Sequence, residues 1–201
     1  LNNDLSAGVP ALLQDVREQT VIPPLHAGWT TRRKSQHFEA YSEVSRSFAS
    51  VMDIDPWLID PMFDVCHDIN FHERSGEECL ATRVGALLAR IRDKYAQHDI
   101  DHDPFVIVKA DAGTYGMGIM TVRDPSEVIG LNRKQRNKMA VVKEGLEVSS
   151  VLIQEGVPTF ETVDGGVAEP VVYMMDRYVV GGFYRVHGER GRDENLNAPG
   201  M

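Results

Sequence analysis

A short apolar run that ends in a lysine and continues into a glycine-rich loop decides the fold of this chain: Val108-Lys109-Ala110-Asp111-Ala112-Gly113-Thr114-Tyr115-Gly116-Met117-Gly118-Ile119. The apolar, β-branched residues 105–108 are typical of a strand that is covered on both faces. A returning strand is predicted over residues 119–122. Glycines let backbone N–H groups approach an anion closely, and the ammonium group of Lys109 can bind phosphate oxygens. The stretch therefore predicts a strand, a loop that could hold phosphate, and a second strand.

Two familiar phosphate-binding motifs do not fit this loop. A P-loop needs Gly-Lys-Ser/Thr at the start of a helix, and a dinucleotide fingerprint also opens a helix, whereas a strand is predicted here. The glycines alone are equally compatible with a β-hairpin that carries a glycine-rich turn and a solvated Lys109. The context along the chain has to decide between these interpretations.

Before the loop the sequence is mainly helical. Apolar residues recur every three or four positions over residues 35–52 and again over 80–95, which predicts two amphipathic helices. Residues 53–76 contain Asp-Pro and Ser-Gly pairs, so we expect a loop with little regular structure.

After the loop, extended segments dominate. Asp124-Pro125-Ser126-Glu127 has the residue types of a helix start. A buried strand is predicted at 151–153, and Asp164-Gly165-Gly166 predicts a turn before strands at 167–175 and 178–186. The predicted fold class is α+β, an antiparallel sheet with packed helices, preceded by a mainly helical segment.

Composition excludes several kinds of protein. The 201 residues are 42% hydrophobic and carry a formal net charge of −9, which disfavours nucleic acid as the main partner. No apolar run approaches the roughly 20 residues that span a bilayer, and the N-terminus does not look like a signal peptide. Two cysteines, Cys66 and Cys79, are too few for a disulfide framework, and with His67 and His72 they match no usual zinc spacing. We expect a cytoplasmic protein that does not associate with membranes.

Further candidate binding residues follow the loop. Where the strand at 151–153 emerges, Gln154, Glu155, Gly156 and Val157 could present backbone groups to an adenine edge. Arginines that could clamp a phosphate come later, and Asn and Glu side chains that could orient a substrate or a metal accompany them: Arg185, Arg190, Arg192, Glu194, Asn195 and Asn197. Near the N-terminus, Arg32 and Arg33 could bind carboxylates or a phosphate at the start of the first predicted helix. Each residue is weak support when it is taken alone.

Taken in order, these features resemble the ATP-grasp fold, and several longer segments are similar to bacterial glutamate–cysteine ligases of that type. The segments are residues 2–10, 24–35, 108–122, 130–139 and 181–187. The resemblance implies an ATP-dependent ligase that joins L-glutamate and L-cysteine through an acyl phosphate, the first step toward glutathione. Two alternatives stay open: another ATP-grasp carboxylate–amine ligase, similar to glutathione synthetase or a peptide ligase, or a nucleotide-binding module without turnover.

The resemblance also implies roles for particular residues. ATP would be bound by the lysine, the loop and the later bend: Lys109, Gly113, Thr114, Tyr115, Gly116, Met117, Gly118, Gln154, Glu155, Gly156 and Val157. The catalytic residue would be Arg185, and the substrate-binding residues would be Arg32, Arg33, Asn195 and Asn197. By the same resemblance, residues 1–104 would be part of an N-terminal or central region on the substrate side, and residues 105–201 would be a nucleotide-binding region that is incomplete at its C-terminus. Because the chain lacks an initial Met and stops near a motif-like stretch, we expect it to be truncated at both ends. The ligands for Mg²⁺ are then expected beyond Met201, with Glu194 as a provisional ligand, and a homo-oligomer is allowed.

Overall fold

The computed structural model describes residues 9–22, 24–27, 32–113, 118–140, 147–196 and 200. The chain forms two compact units, residues 1–155 and 156–201. The division lies between Glu155 and Gly156, whereas the sequence predicts a boundary after residue 104. The difference arises because a strand before residue 104 belongs to the same sheet as the strands that follow it.

The sheet of the first unit has four strands in the order β1-β4-β2-β3, and all neighbours are antiparallel. The strands are β1 (Phe63–His67), β2 (Val106–Ala110), β3 (Ile119–Val122) and β4 (Ser150–Glu155). Val108 of β2 is opposite Ile153 of β4 on one side and Met120 of β3 on the other. The predicted strand and the predicted returning strand are therefore confirmed.

A long helix, α3 (Glu77–Gln97), packs on this sheet and supplies much of the core. The positions that it buries repeat every three or four residues, as the sequence predicts: Leu80, Val84, Leu87, Leu88, Ile91 and Tyr95. Burying each large aliphatic side chain stabilises the fold by roughly 1.5–3 kcal/mol. This helix is the main apolar layer against which the strands are held.

The loop prediction for residues 53–76 is wrong. The segment contains a 3-10 turn, Pro56–Leu58, and the edge strand β1, which pairs along its whole length with β4. Its apolar residues are few and are interrupted by Asp64, so the strand signal is weak in sequence. Pairing with β4, which is distant in sequence, is what orders it.

The first predicted helix is confirmed as α2 (Lys34–Met52), but its buried face is not the apolar one. Val44 and Val51 are 67% and 83% exposed, whereas Ser42, Ser45 and Ala49 are buried. Ser42 donates a hydrogen bond to Asp60 at 3.0 Å. The hydrogen bonds that Ser42 donates to Asp60 and Ser35 donates to Asp111 therefore set the rotation of this helix.

Short helices complete the described part of the first unit: α1 (Ala11–Gln14), a 3-10 turn (Leu25–Ala27), α4 (Ser126–Ile129) and α5 (Arg133–Ala140). The predicted helix start before α4 is confirmed by reciprocal capping. Asp124 accepts a hydrogen bond from the backbone of Ser126, and Glu127 accepts one from the backbone of Asp124, both at 2.9 Å.

The second unit is built on a three-stranded antiparallel sheet in the order β5-β6-β7. Its strands are β5 (Thr162–Val163), β6 (Gly166–Met175) and β7 (Tyr178–His187), and the predicted turn at Asp164-Gly165 joins the first two. The far half of the long hairpin exposes apolar side chains: Val172, Tyr173, Met174, Met175, Tyr178, Val179 and Val180.

The mixed α and β composition with antiparallel sheets and packed helices agrees with the predicted class.

Among the described residues, no helix combines the length and the apolarity that crossing a bilayer requires. The longest, α3, carries charged side chains along its outer face.

A small polar cluster around Asp55 connects the 3-10 turn Pro56–Leu58 with the C-terminal end of helix α3. One carboxylate oxygen accepts hydrogen bonds from Lys94 at 2.6 Å and His98 at 3.2 Å, and the other accepts from the backbone N–H of Trp57 at 3.0 Å. The Lys94 hydrogen bond, with help from Trp57 and His98, lowers the pKa of Asp55 to about 2. The ionised form is therefore favoured in the folded state.

Replacing Asp55→Asn removes this charge but keeps an oxygen for Trp57. We expect the free energy of unfolding at pH 7 to fall by about 0.5–1 kcal/mol, the usual size for a partly exposed ion pair. Because the folded-state pKa is depressed, the contribution is complete above about pH 4 and is lost as the pH falls toward 2. Urea unfolding of both proteins across this range checks the prediction, and a difference that is independent of pH would contradict it.

Candidate functional site

Lys109 is the second-to-last residue of β2, just before the glycine-rich loop, and is half-buried. Its ammonium group donates a hydrogen bond to the Gln154 side chain on β4 and lies 5.2 Å from the centre of the Phe38 ring on α2. Burial lowers the pKa of Lys109. Among the described residues no carboxylate forms an ion pair with it, so its charge can serve an external anion.

A second lysine, Lys34, approaches the same loop from the start of α2. Its ammonium group donates to three backbone oxygens, those of Ala110 at 2.6 Å, Gly113 at 3.0 Å and Ala112 at 3.2 Å. Burial first, and then the nearby charge of Lys109, lower the pKa of Lys34 to about 8. Lys34 thus holds the first residues of the loop and adds positive potential beside Lys109.

The carboxylate of Asp111 fixes α2 to the end of β2. It accepts hydrogen bonds from the backbone N–H and the hydroxyl of Ser35, both at 2.8 Å, and the Asp111 carbonyl accepts from the Lys34 N–H at 2.9 Å. Asp111 is only 2% exposed. A carboxylate at the first turn of a helix also interacts favourably with the helix dipole.

The loop itself is described only at its two ends. Gly113 and Gly118 have φ values of 90° and 62°, a region that glycine adopts without strain. The Gly118 carbonyl accepts a hydrogen bond from the Ala110 N–H at 3.0 Å, which closes the base of the loop. The predicted ATP-binding residues Thr114, Tyr115, Gly116 and Met117 lie outside the described residues.

The predicted substrate-binding arginines lie near this loop base. Arg33 is the N-cap residue of α2 and is exposed, and its charge contributes to lowering the pKa of Lys34. Arg32 lies 3.3 Å from the ring of His37 through its guanidinium group. The structure therefore brings Arg33, Lys34 and Lys109 to one electropositive region.

The predicted adenine segment is divided between the two units. Gln154 faces Lys109, whereas the carboxylate of Glu155 accepts hydrogen bonds from the Trp57 ring at 3.0 Å and the Met62 N–H at 2.8 Å. The Glu155 N–H in turn donates to the Met62 carbonyl at 2.8 Å. Glu155 is thus bonded within the first unit, and burial raises its pKa. Gly156 and Val157 begin the second unit.

The remaining predicted residues belong to the second unit. Arg185 on β7 forms an ion pair with Glu169 on the neighbouring strand β6. Asn195 is exposed and lies close to the end of this unit. Asn197 lies outside the described residues.

The surroundings of Glu194, the provisional metal ligand, do not resemble a metal site. The carboxylate of Glu194 accepts hydrogen bonds from Arg190 at 2.9 Å and from the Gly191 N–H at 2.8 Å. In the described part of the chain, no group of three or more His, Cys, Asp or Glu side chains could hold a metal ion. The described residues therefore form no magnesium site, and the expectation that the ligands lie beyond Met201 stays a prediction.

Comparison with known proteins decides the family. A family model described as "Glutamate-cysteine ligase" matches residues 1–201. The chain belongs to the glutamate-cysteine ligase family. The resemblance to glutamate–cysteine ligases is thereby confirmed, and the ATP-grasp type stays a prediction.

A solved structure of a family relative extends the comparison. A crystal structure from Methylobacillus flagellatus KT, named "Putative gamma-glutamylcysteine synthetase", is 66% identical with a TM-score of 0.85. The match covers 99% of this chain and 47% of the other, so this chain spans about half the length of that relative. The search of curated proteins found no match.

In this family member, three residues that join α2 to the end of β2 are not predicted from the sequence. The sequence pattern assigns no structural role to Lys34, Ser35 or Asp111. Their contacts join positions that are 76 residues apart along the chain. Local pattern carries no signal for such pairs.

The substitution Ser35→Ala tests the link between α2 and the loop. It leaves one buried oxygen of Asp111 without its hydroxyl partner, so we expect the free energy of unfolding to drop by about 1–3 kcal/mol. The matched substitution Ser47→Ala, on the same helix, removes only an exposed hydrogen bond to the Glu43 carbonyl and should change it by less than about 0.5 kcal/mol. Equal effects of the two substitutions in urea unfolding would contradict the role of Ser35.

Proposed function

We propose that this chain is the nucleotide-binding part of an ATP-dependent, ATP-grasp-type ligase that forms γ-glutamylcysteine from L-glutamate and L-cysteine. Membership of the glutamate-cysteine ligase family supports the reaction. The observation that carries the nucleotide site is the half-buried ammonium group of Lys109 at the base of the glycine-rich loop.

The charge balance around the loop favours a polyanion. Lys109 and Lys34 are both partly removed from water, and each has a lowered pKa. The carboxylate of Asp111 is already engaged by Ser35. A triphosphate would offset this surplus of positive charge, and it would gain from an electrostatic field that is already in place.

The proposed reaction transfers the terminal phosphoryl group of ATP to the γ-carboxylate of glutamate. ADP leaves, and the amine of cysteine then attacks the acyl phosphate, which forms the amide bond and releases phosphate and a proton. Lys109 would stabilise the charge on the transferring phosphoryl group. The loop between Gly113 and Gly118 would exclude water, which otherwise hydrolyses the acyl phosphate.

Other residues have proposed roles within the same reaction. Arg185 would neutralise charge on the phosphoryl group, and the substrate carboxylates would be bound by Arg32, Arg33, Asn195 and Asn197. Backbone groups of residues 154–157 would hold the adenine edge. Since the described residues do not provide a fitting donor set for Mg²⁺, we assign no step to the metal.

The substitution Lys109→Ala tests the nucleotide site in a full-length protein that contains this chain. We expect kcat/KM for ATP to fall by at least about 100-fold, because one preorganised charge at the transferring phosphoryl group is lost. The fold should persist, since the side chain is only half-buried. Phosphate release measures the activity, and thermal unfolding monitors the fold.

A matched control is Lys134→Ala, which removes an exposed lysine from α5 and should leave turnover unchanged. Turnover of the Lys109→Ala protein at the wild-type rate would show that Lys109 does not contribute to the phosphate site.

An amino-acid panel tests the substrates. With ATP, we expect glutamate plus cysteine to trigger phosphate release from the full-length protein, and γ-glutamylcysteine plus glycine to give only background. Release with the second pair alone would favour a glutathione synthetase-like ligase. Nucleotide binding without release for any pair would favour a module without turnover.

A further inference from the structure

The two cysteines of the chain form a pair outside the proposed nucleotide site. Cys66 lies on β1 and is buried, and Cys79 lies in the first turn of α3 and is exposed. Their sulfur atoms are 3.4 Å apart, and the Cys66 thiol donates a hydrogen bond to the Cys79 sulfur. The neighbouring histidines do not complete a metal site among the described residues. The chemistry available to this pair is therefore that of two thiols in contact.

The surroundings make the two thiols unequal. The hydrogen bond from Cys66 and then one from Arg83, one turn further along α3, lower the pKa of Cys79. Asp64 opposes this effect, but it is paired with Arg83 at 2.8 Å. Burial raises the pKa of Cys66 to about 12, so this thiol keeps its proton. The exposed sulfur is thus the nucleophile and the buried sulfur lies directly behind it.

We propose that Cys79 is a site of oxidation by peroxides and that Cys66 resolves the oxidised sulfur into a disulfide between β1 and α3. In the first step the Cys79 thiolate attacks one oxygen of hydrogen peroxide, the O–O bond breaks, and a sulfenic acid and hydroxide form. The hydroxide takes a proton and becomes water.

In the second step the sulfur of Cys66 attacks the sulfur of the sulfenic acid. The S–O bond breaks, the S–S bond forms, and the leaving hydroxide takes the Cys66 proton, which gives a second water. Both sulfurs are oxidised and the peroxide is reduced. Closing the contact from 3.4 Å to the roughly 2.05 Å of a disulfide requires a small movement, which side-chain rotation can supply because Cys79 is at the surface.

Hydrogen peroxide treatment followed by intact mass measurement tests the pair. The wild-type protein should lose the mass of two hydrogen atoms, and a non-reducing peptide map should join the peptides of Cys66 and Cys79. In Cys66→Ser the resolving thiol is absent, so dimedone should label Cys79. In Cys79→Ser no label should appear at Cys66. An unlinked wild-type protein whose Cys79 accumulates as sulfinic acid would overturn the proposal, and this result does not depend on the folding of either variant.

The role of Arg83 has a separate readout, the pH dependence of Cys79 alkylation by iodoacetamide. In Arg83→Gln the midpoint should move to higher pH, because a charge-assisted hydrogen bond to the thiolate is lost. Arg90→Gln, an exposed arginine of the same helix, should leave the midpoint unchanged. An equal shift in both variants would show that net charge alone sets the reactivity, which would contradict the specific pairing. Neither readout depends on ligase activity.

Discussion

The hydrogen bonds between the carboxylate of Asp111 and the first turn of α2 are the constraint on which the site depends. They join a helix from the early part of the chain to the end of a central strand. Because Lys34 immediately precedes Ser35, seating the helix on Asp111 also places the lysine among the loop carbonyls. The base of the glycine-rich loop is therefore shaped from outside the loop as well as from within it.

This arrangement stores unfavourable electrostatics next to the loop. Two ammonium groups lie close enough for the charge of one to lower the pKa of the other, and both have lost part of their hydration. Three carbonyl acceptors compensate Lys34, whereas Lys109 has an uncharged amide and a ring face. A site of this kind is less stable when empty than a neutral site would be, which is the usual relation between function and stability.

Local pattern predicted the parts of the fold that local physics determines. The β-branched run at β2, the returning strand β3, the periodicity of α3 and the capping residues before α4 all appear in the structure as predicted. The family also followed from extended segment similarity. Each of these signals lies within one stretch of sequence.

The features that sequence missed depend on partners that are distant along the chain. Strand β1 has a weak pattern of its own and is ordered by pairing with β4. The face that α2 buries is set by Asp60 and Asp111, so its apolar stripe was a misleading guide. The carboxylate of Glu155 is drawn inward by Trp57 and Met62, which no spacing rule reveals.

The position of β4 has a consequence for how the molecule is built on the ribosome. β4 is the last strand of its sheet to be synthesised, yet it lies between β1 and β2 and hydrogen-bonds to both. The β2–β3 hairpin can form early from neighbouring residues, but β1 has no sheet partner until residue 155 has left the exit tunnel. During that interval its polar backbone edge is open, and completion of the sheet is a late, non-local event in the folding of the nascent chain.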